Sequence, residues 1–245
     1  MPRRAAATVG ATCVLLAGCA TGAPADERPV VRIAEAAQPS PVQALGRFLP
    51  SVEELAAALG TGPSGFMGRL VEGGKDMLLR SVGVAEAVPA DCVGTAYRLE
   101  EAVYGGSPVQ SVASTSWAGG GFDGPPVSGF FGVVQMSSAE AAAAFFAATT
   151  EQWRRCNGQT VALHQPDRGA DDLTRISDVA FGQQVVSASV LRASSAPGSP
   201  PSLRALGRSG DCIVEVELTD PRGGTGVAPA VAITELVLDK ISTLR

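Results

Sequence analysis

The spacing of apolar residues changes several times along the chain, and each change marks an element. In "PSVEELAAALG" Ser51 and Glu54 stand at capping-box spacing and Gly60 supplies a stop, which predicts a helix over 52–59. The next stretch, "TGPSGFMGRLVEGGKDMLLRSVG", groups Phe66, Met67, Leu70, Met77, Leu78 and Leu79 between glycines and predicts a loop with a short helical piece. "STSWAGGGFDGPPVSGFFGVVQM" predicts two strands, about 109–118 and 127–136, joined by a Gly/Pro-rich loop too long for a tight hairpin. Directly after it, "SSAEAAAAFFAATTEQWRRCNG" opens with Ser137 and Glu140 at capping-box spacing and closes at Asn157 and Gly158. Its stripe of Ala142, Phe145, Phe146, Thr149, Trp153 and Cys156 follows helical steps, so Cys156 faces inward with the aromatic residues.

Strand-like segments follow at about 160–165, 174–180 and 183–192, the first two separated by the acidic turn "PDRGADD"; "SSAPGSPPS" reads as a loop. In "DCIVEVELTD" the alternation sets Cys212, Val214, Val216 and Leu218 on one face and Ile213, Glu215 and Glu217 on the other, the pattern of a half-buried strand. The last segment, "GVAPAVAITELVLDKISTLR", places Pro229 in a first helical turn and Ala230, Ile233, Val237, Ile241 and Leu244 in an apolar stripe that packs on the sheet. Strands in consecutive runs, with long helices between and after them, predict an α+β fold with a central, largely antiparallel sheet flanked by helices.

The N-terminus changes the picture of where this fold works. Arg3 and Arg4 precede a short apolar run from Ala5 to Ala17, and Gly18 is a small residue suited to a cleavage site, the organisation of a signal peptide. Leu16, Ala17, Gly18 and Cys19 match the lipobox of bacterial lipoproteins, which implies diacylation of Cys19 and cleavage before it. Two acyl chains hold a protein stably at a membrane, since each buried methylene contributes about 0.8 kcal/mol. The expected organisation is a leader over 1–18, a lipid anchor and tether over 19–45, and one folded domain over 46–245. If flexible, a tether of about 30 residues gives an end-to-end distance of roughly 30 Å.

Composition agrees with a globular, exported protein. Of the 245 residues 45% are hydrophobic and 18% charged, and no apolar run after the leader is long enough to span a bilayer. The formal net charge of −5 shifts by two, to −7, with the loss of Arg3 and Arg4, so nucleic acid is not expected as a partner. Five cysteines lose Cys13 with the leader and Cys19 to lipid, leaving Cys92, Cys156 and Cys212 for an oxidising compartment. A bridge from Cys92 to Cys156 leaves Cys212 as a buried free thiol; the rival pairing of Cys156 with Cys212 leaves Cys92 free.

Catalytic and metal chemistry finds few residues. One histidine, His164, and no close pair of cysteines make a zinc site improbable, and Asp167, Asp171 and Asp172 lack the ligand spacing of a calcium loop. His164 is the only imidazole base, and no "GxSxG" elbow presents a serine to it. "GTGPSG" at 60–65 follows a helix where a dinucleotide fingerprint must follow a strand, and "GGGFDG" at 119–124 lacks the Lys and Ser/Thr of a phosphate loop. Glu100, Glu101, Glu215 and Glu217 could supply two carboxylates for glycoside hydrolysis, but surface positions on a turn and on the polar face of a strand explain them without any function. No metal and no cofactor is expected.

Taken together, "LPSVEELAAALG", "DCVGTAYRLEEAVYG", "VVQMSSAEAAAAFFAATTEQWRRCNG", "RALGRSGDCIVEVEL" and "VAITELVLDKI" resemble, in that order, the PknH-type sensor domain. That family comprises the extracellular domain of a mycobacterial receptor kinase and many free-standing mycobacterial lipoproteins. The resemblance covers roughly residues 46–245 and implies an α+β domain with a cleft for an unidentified ligand; it carries no catalytic residues. It also implies a bridge between Cys92 in "DCVG" and Cys156 in "WRRC". The family's second bridge has no counterpart here: near its two positions stand Ser202 and Thr219, and Cys212 lies inside the strand as the odd thiol. Without "HRD" or "DFG", phosphoryl transfer is not expected of this chain.

The resulting expectation is a lipid-anchored, extracytoplasmic, sensor-like binding protein of the mycobacterial cell envelope, without catalysis, that holds a small molecule or lipid in a cleft. The alternative is an envelope protein–protein interaction module, and the third reading is a hydrolase built on His164 or a glutamate pair. A deep apolar pocket points to the first, a broad exposed apolar patch to the second.

Overall fold

The computed structural model describes residues 44–61, 65–83, 86–120, 126–165, 170–193, 200–222 and 228–245. The leader over 1–18, Cys19, nearly all of the tether, the centre of "GGGFDG" and Asp167 lie outside them. In chain order the elements are α1 (Val52–Leu59), β1 (Gly65–Met67), β2 (Val71–Gly73), β3 (Ala87–Val88), α2 (Val93–Ala96), α3 (Glu101–Tyr104), β4 (Val109–Gly119) and β5 (Val127–Met136). They continue with α4 (Ala139–Cys156), β6 (Thr160–Gln165), β7 (Ala170–Phe181), β8 (Val185–Arg192), β9 (Ser202–Ser209), β10 (Cys212–Thr219) and α5 (Ala228–Leu244). Short 3-10 turns occupy Leu45–Phe48, Lys75–Met77 and Ala90–Cys92.

The described strands join one antiparallel sheet in the order β1-β4-β5-β10-β9-β8-β7-β6-β3, with β2 also on β4. This is the α+β class expected from the pattern. The helix caps are legible in atomic detail. Ser51 accepts from Glu54 N while the Glu54 side chain accepts from Ser51 N, and Gly60 ends α1 at φ 59°. At α4 the cap is Ser138, not Ser137: its hydroxyl accepts from Ala141 N, one residue later than the expected box.

Each face of the sheet carries its own core. On one, α5 lays Ile233, Val237 and Ile241 over Val214, Val216 and Leu218 of β10 and Phe131 and Val133 of β5. On the other, α4 sets Ala142 and Trp153 over Ile213, Leu206, Val134 and Met136. Each fully buried aliphatic side chain contributes roughly 1.5–3 kcal/mol of hydrophobic stabilisation. Leu244, expected in the α5 stripe, is the last residue of the helix and is 51% exposed.

The larger correction concerns β10. It is central, flanked by β5 and β9, and buried on both faces rather than half-buried; Glu215 and Glu217 lie under α2, α3 and the α4 side of the sheet. β9, its neighbour, was not expected from the pattern at all. The "TGPSGFMGRLVEGGKDMLLRSVG" stretch, expected as a loop with a helical piece, yields β1, β2 and one 3-10 turn.

Candidate functional site

On the α4 side, four adjacent strands leave part of the sheet uncovered. The register aligns Phe66 of β1 with Ala118 of β4, Ala118 with Ser128 of β5, and Ser128 with Thr219 of β10. The next row of the same face runs Ser116, Phe130, Glu217. Alternate residues of a strand share a face, so these two rows form a floor in which Ala118, Ser128, Thr219 and Ser116 lie among Phe66, Phe130 and Glu217. Above it lies a groove of about 470 Å³, a size that suits a small molecule, with Phe66 at one end and Arg98 with Glu217 at the other. The groove is open and partly polar, not the deep apolar pocket expected of a small-molecule or lipid cleft. Gly68, also on the wall, takes no side chain because a Cβ there would meet Ser116 Oγ at 2.1 Å.

The charged end is built by a buried network. Arg98 Nη1 donates to Glu217 Oε1 at 2.9 Å, and the guanidinium lies 4.3 Å over the Phe130 ring. Arg192 donates to both oxygens of the same carboxylate at 3.3 Å and packs 5.9 Å from the Tyr97 ring. Burial alone would raise the Glu217 carboxyl, but Arg98, Arg204 and Arg192 outweigh it and hold the group below the ordinary glutamate range. Deeper in, Glu215 accepts from Tyr104 Oη at 2.5 Å, Arg204 Nη2 at 2.6 Å and Leu99 N at 3.3 Å. Burial pushes the Glu215 carboxyl up and the Arg204 guanidinium down, each drawn back by the other's charge.

Leu99 places these groups. It takes φ 46°, a left-handed conformation uncommon for a non-glycine residue, and its side chain is buried. On one side of this bend Arg98 points to Glu217; on the other, Glu100 is buried and accepts from Ser81 N, Val82 N and the Ser81 hydroxyl. Glu100, Glu215 and Glu217 are therefore structural partners of the interior rather than the surface carboxylates expected. Glu101 alone fits that expectation, 2.8 Å from Arg80 on the exterior.

The other candidates are dispersed. His164 stands exposed on β6, its Nδ1 2.9 Å from Asp171 Oδ1, and among the described residues no serine or threonine hydroxyl meets it. Asp171 and Asp172 belong to β7 rather than to the turn. Among the described residues no cluster of His, Cys, Asp and Glu could hold a metal, and no helix is long and apolar enough to cross a membrane.

Cys92 and Cys156 are joined in a disulfide that ties the end of α4 to the turn before α2. Cys212 is free and buried on the α5 side; Arg245 Nη2 lies 3.2 Å from its sulfur, and burial pushes the thiol up to about 12. Ser202 and Thr219, the residues near the family's second bridge, are register partners across β9 and β10, with their hydroxyls 2.9 Å apart.

Comparison with known proteins places the chain. The PknH-like extracellular domain profile matches residues 40–240. The crystal structure of the extracellular domain of PknH from Mycobacterium tuberculosis aligns with a TM-score of 0.68 at 20% identity, over 84% of this chain and 98% of that one, which shows a shared fold. An uncharacterised protein from Mycobacterium smegmatis aligns with a TM-score of 0.39 at 12% identity, over 82% of this chain and 97% of its own, too distant to bear on the argument. No curated protein matches significantly in sequence.

Proposed function

Because the chain belongs to the PknH-like extracellular domain family, we propose that it is an extracytoplasmic, sensor-type binding module, held at the bacterial membrane by lipid on Cys19 and without a catalytic step of its own. Membership of an extracellular family supports the location, and "LAGC" at 16–19 supports the anchor. The observation that carries the binding role is the uncovered floor from Phe66 to Glu217, a concave surface whose charged wall is fixed from beneath. A non-catalytic role agrees with the carboxylates: the oxygens of Glu215 and Glu217 are taken up by arginine, tyrosine and backbone donors, and His164 stands apart on the exterior.

The test is native mass spectrometry of the full chain, produced in an actinobacterial host and released gently from its membranes. A discrete mass excess beyond the lipid that disappears on denaturation is the expected result. A clean apo mass would turn the reading towards a protein partner in the envelope. The N-terminal peptide should begin at Cys19 and carry acyl chains; an unmodified Cys19 would overturn the anchor.

A further inference from the structure

The charged cluster behind the groove's wall holds more positive than negative charge. Arg98, Arg192 and Arg204 converge on two carboxylates, Glu215 and Glu217, leaving one guanidinium charge in excess in a largely buried cluster. Arg204 spends its charge on Glu215, whereas Arg98 and Arg192 share Glu217 alone. Those two are also the exposed members, with side chains 31% and 28% accessible, while Glu217 is 10% accessible. The excess charge therefore stands at the end of the groove that Arg98 and Glu217 line, with Arg192 behind Glu217, in a chain whose overall charge is −5.

Hydrogen bonding points the same way. Three buried nitrogens of the arginine cluster find no acceptor among the described residues: Arg98 Nε and Arg204 Nε and Nη1. Of these two arginines, Arg98 lines the groove itself. An excess of donors and of positive charge is relieved by an acceptor that brings negative charge. At the opposite end the floor turns apolar. Phe66 is 86% exposed on β1, an unusual position for a phenylalanine in a short strand, and the register separates it from Glu217 by three strand spacings, about 14 Å.

We propose that the groove takes an amphiphilic anion, a carboxylate or phosphate head at Arg98, with Arg192 adding its charge from behind Glu217, and an apolar portion lying across Ala118 and Ser128 towards Phe66. This rests on the binding-module reading and names the ligand class for it. Arg98 and Arg192 supply the charge, Glu217 holds the two guanidinium groups in place, and Phe130 backs Arg98 from the floor.

The experiment is isothermal titration calorimetry of the full chain in neutral phosphatidylcholine nanodiscs, with empty nanodiscs as the blank and four probes: octyl phosphate, octanoate, octanol and inorganic phosphate. Octyl phosphate and octanoate should bind, each at least tenfold tighter than octanol and than inorganic phosphate. Arg98→Gln should weaken octyl phosphate about tenfold, one charge-assisted contact's worth, and Arg192→Gln should weaken it by less. Arg98→Lys should recover part of that loss, and Phe66→Ala should weaken octyl phosphate without changing inorganic phosphate. Each variant is checked for an unchanged circular dichroism spectrum before titration. Octanol binding as tightly as octyl phosphate would overturn the anionic head, and inorganic phosphate binding as tightly would overturn the apolar portion. If no probe binds while the native mass spectrum still carries a releasable excess, the ligand class fails and the binding module stands; loss of both signals sinks both.

Discussion

Arg204 ignores the residue opposite it. Its register partner on β10 is Glu217, yet its Nη2 reaches diagonally to Glu215 Oε2 at 2.6 Å, with both side chains essentially inaccessible. The diagonal leaves Glu217 free to be shared by Arg98 and Arg192, so one buried ion pair decides the composition of the groove wall.

Breaking that pair from one side should be costly. Arg204→Ala strands Glu215 among two remaining donors and should reduce unfolding free energy by about 3–5 kcal/mol, whereas Arg204→Met combined with Glu215→Leu should recover much of the loss. Urea denaturation of the single and double variants measures this. Equal stability of Arg204→Ala and the native chain would mean that the pair is not buried as described.

Glu217 should shape the acid limb of the stability curve. Its folded-state value lies below the ordinary 4.5, so its contribution is complete above pH 4.5 and is lost as pH falls through the folded value. The stability gap between the native chain and Glu217→Gln should therefore narrow only below about pH 4.5, read from urea midpoints across the acid range. Glu215, raised by burial and in part by the Glu217 charge, contributes in the opposite sense, so the comparison is repeated in a Glu215→Gln background. A gap that stays constant on acidification would show that the guanidinium groups do not hold Glu217 ionised.

Cys212 should be inert in the folded protein. With the thiol pushed up to about 12 and no accessible surface, iodoacetamide near neutral pH should leave it unmodified until denaturant is added. Raising pH from about 9 towards 12 ionises the thiol in the unfolded chain but not in the folded one, so stability should decline over that window by more than in Cys212→Ala. Rapid native labelling would contradict the burial.

Ser202 and Thr219 should accept a crosslink. Register partners in an antiparallel pair have Cα atoms about 4.5–5.5 Å apart, within disulfide range, and these two already touch through their hydroxyls. Ser202→Cys with Thr219→Cys should oxidise spontaneously and, closing a loop of 17 residues, add up to about 3 kcal/mol in the chain-entropy treatment. A double variant that stays reduced in air would count against the register.

Local pattern read well wherever the partners were local. The bounds of α1, its capping box, both strands of the β4–β5 pair, and the long helices α4 and α5 were all legible, because neighbours in sequence create their periodicity and caps. The PknH-like resemblance was legible in the ordered motifs. What escaped was the charged interior. "VEVEL" looks half exposed because its glutamates find their arginines elsewhere: Arg98 is 119 residues from Glu217, and no window along the chain contains both. For the same reason "SLRALGRS" was not recognised as a strand, since a buried Arg204 breaks the expected alternation. The groove inherits that invisibility: its floor is contributed by four strands and its charge by a bend at Leu99.

The strand order also governs when this protein can become itself during synthesis. β10 is the final strand in sequence but sits between β5 and β9, joining the β1-β4-β5 side of the sheet to the β9-β8-β7-β6-β3 side. Until residues 212–219 have emerged, the two portions share no ladder through the centre, Glu215 and Glu217 are missing from beneath the arginines, and the N-terminal part has no finished sheet to rest on. Dependence on so late and so distant a segment makes folding slow and nearly all-or-none. A growing chain with this order stays pliable until its synthesis is almost complete, a useful property for a polypeptide that has to be threaded across a membrane before it takes shape.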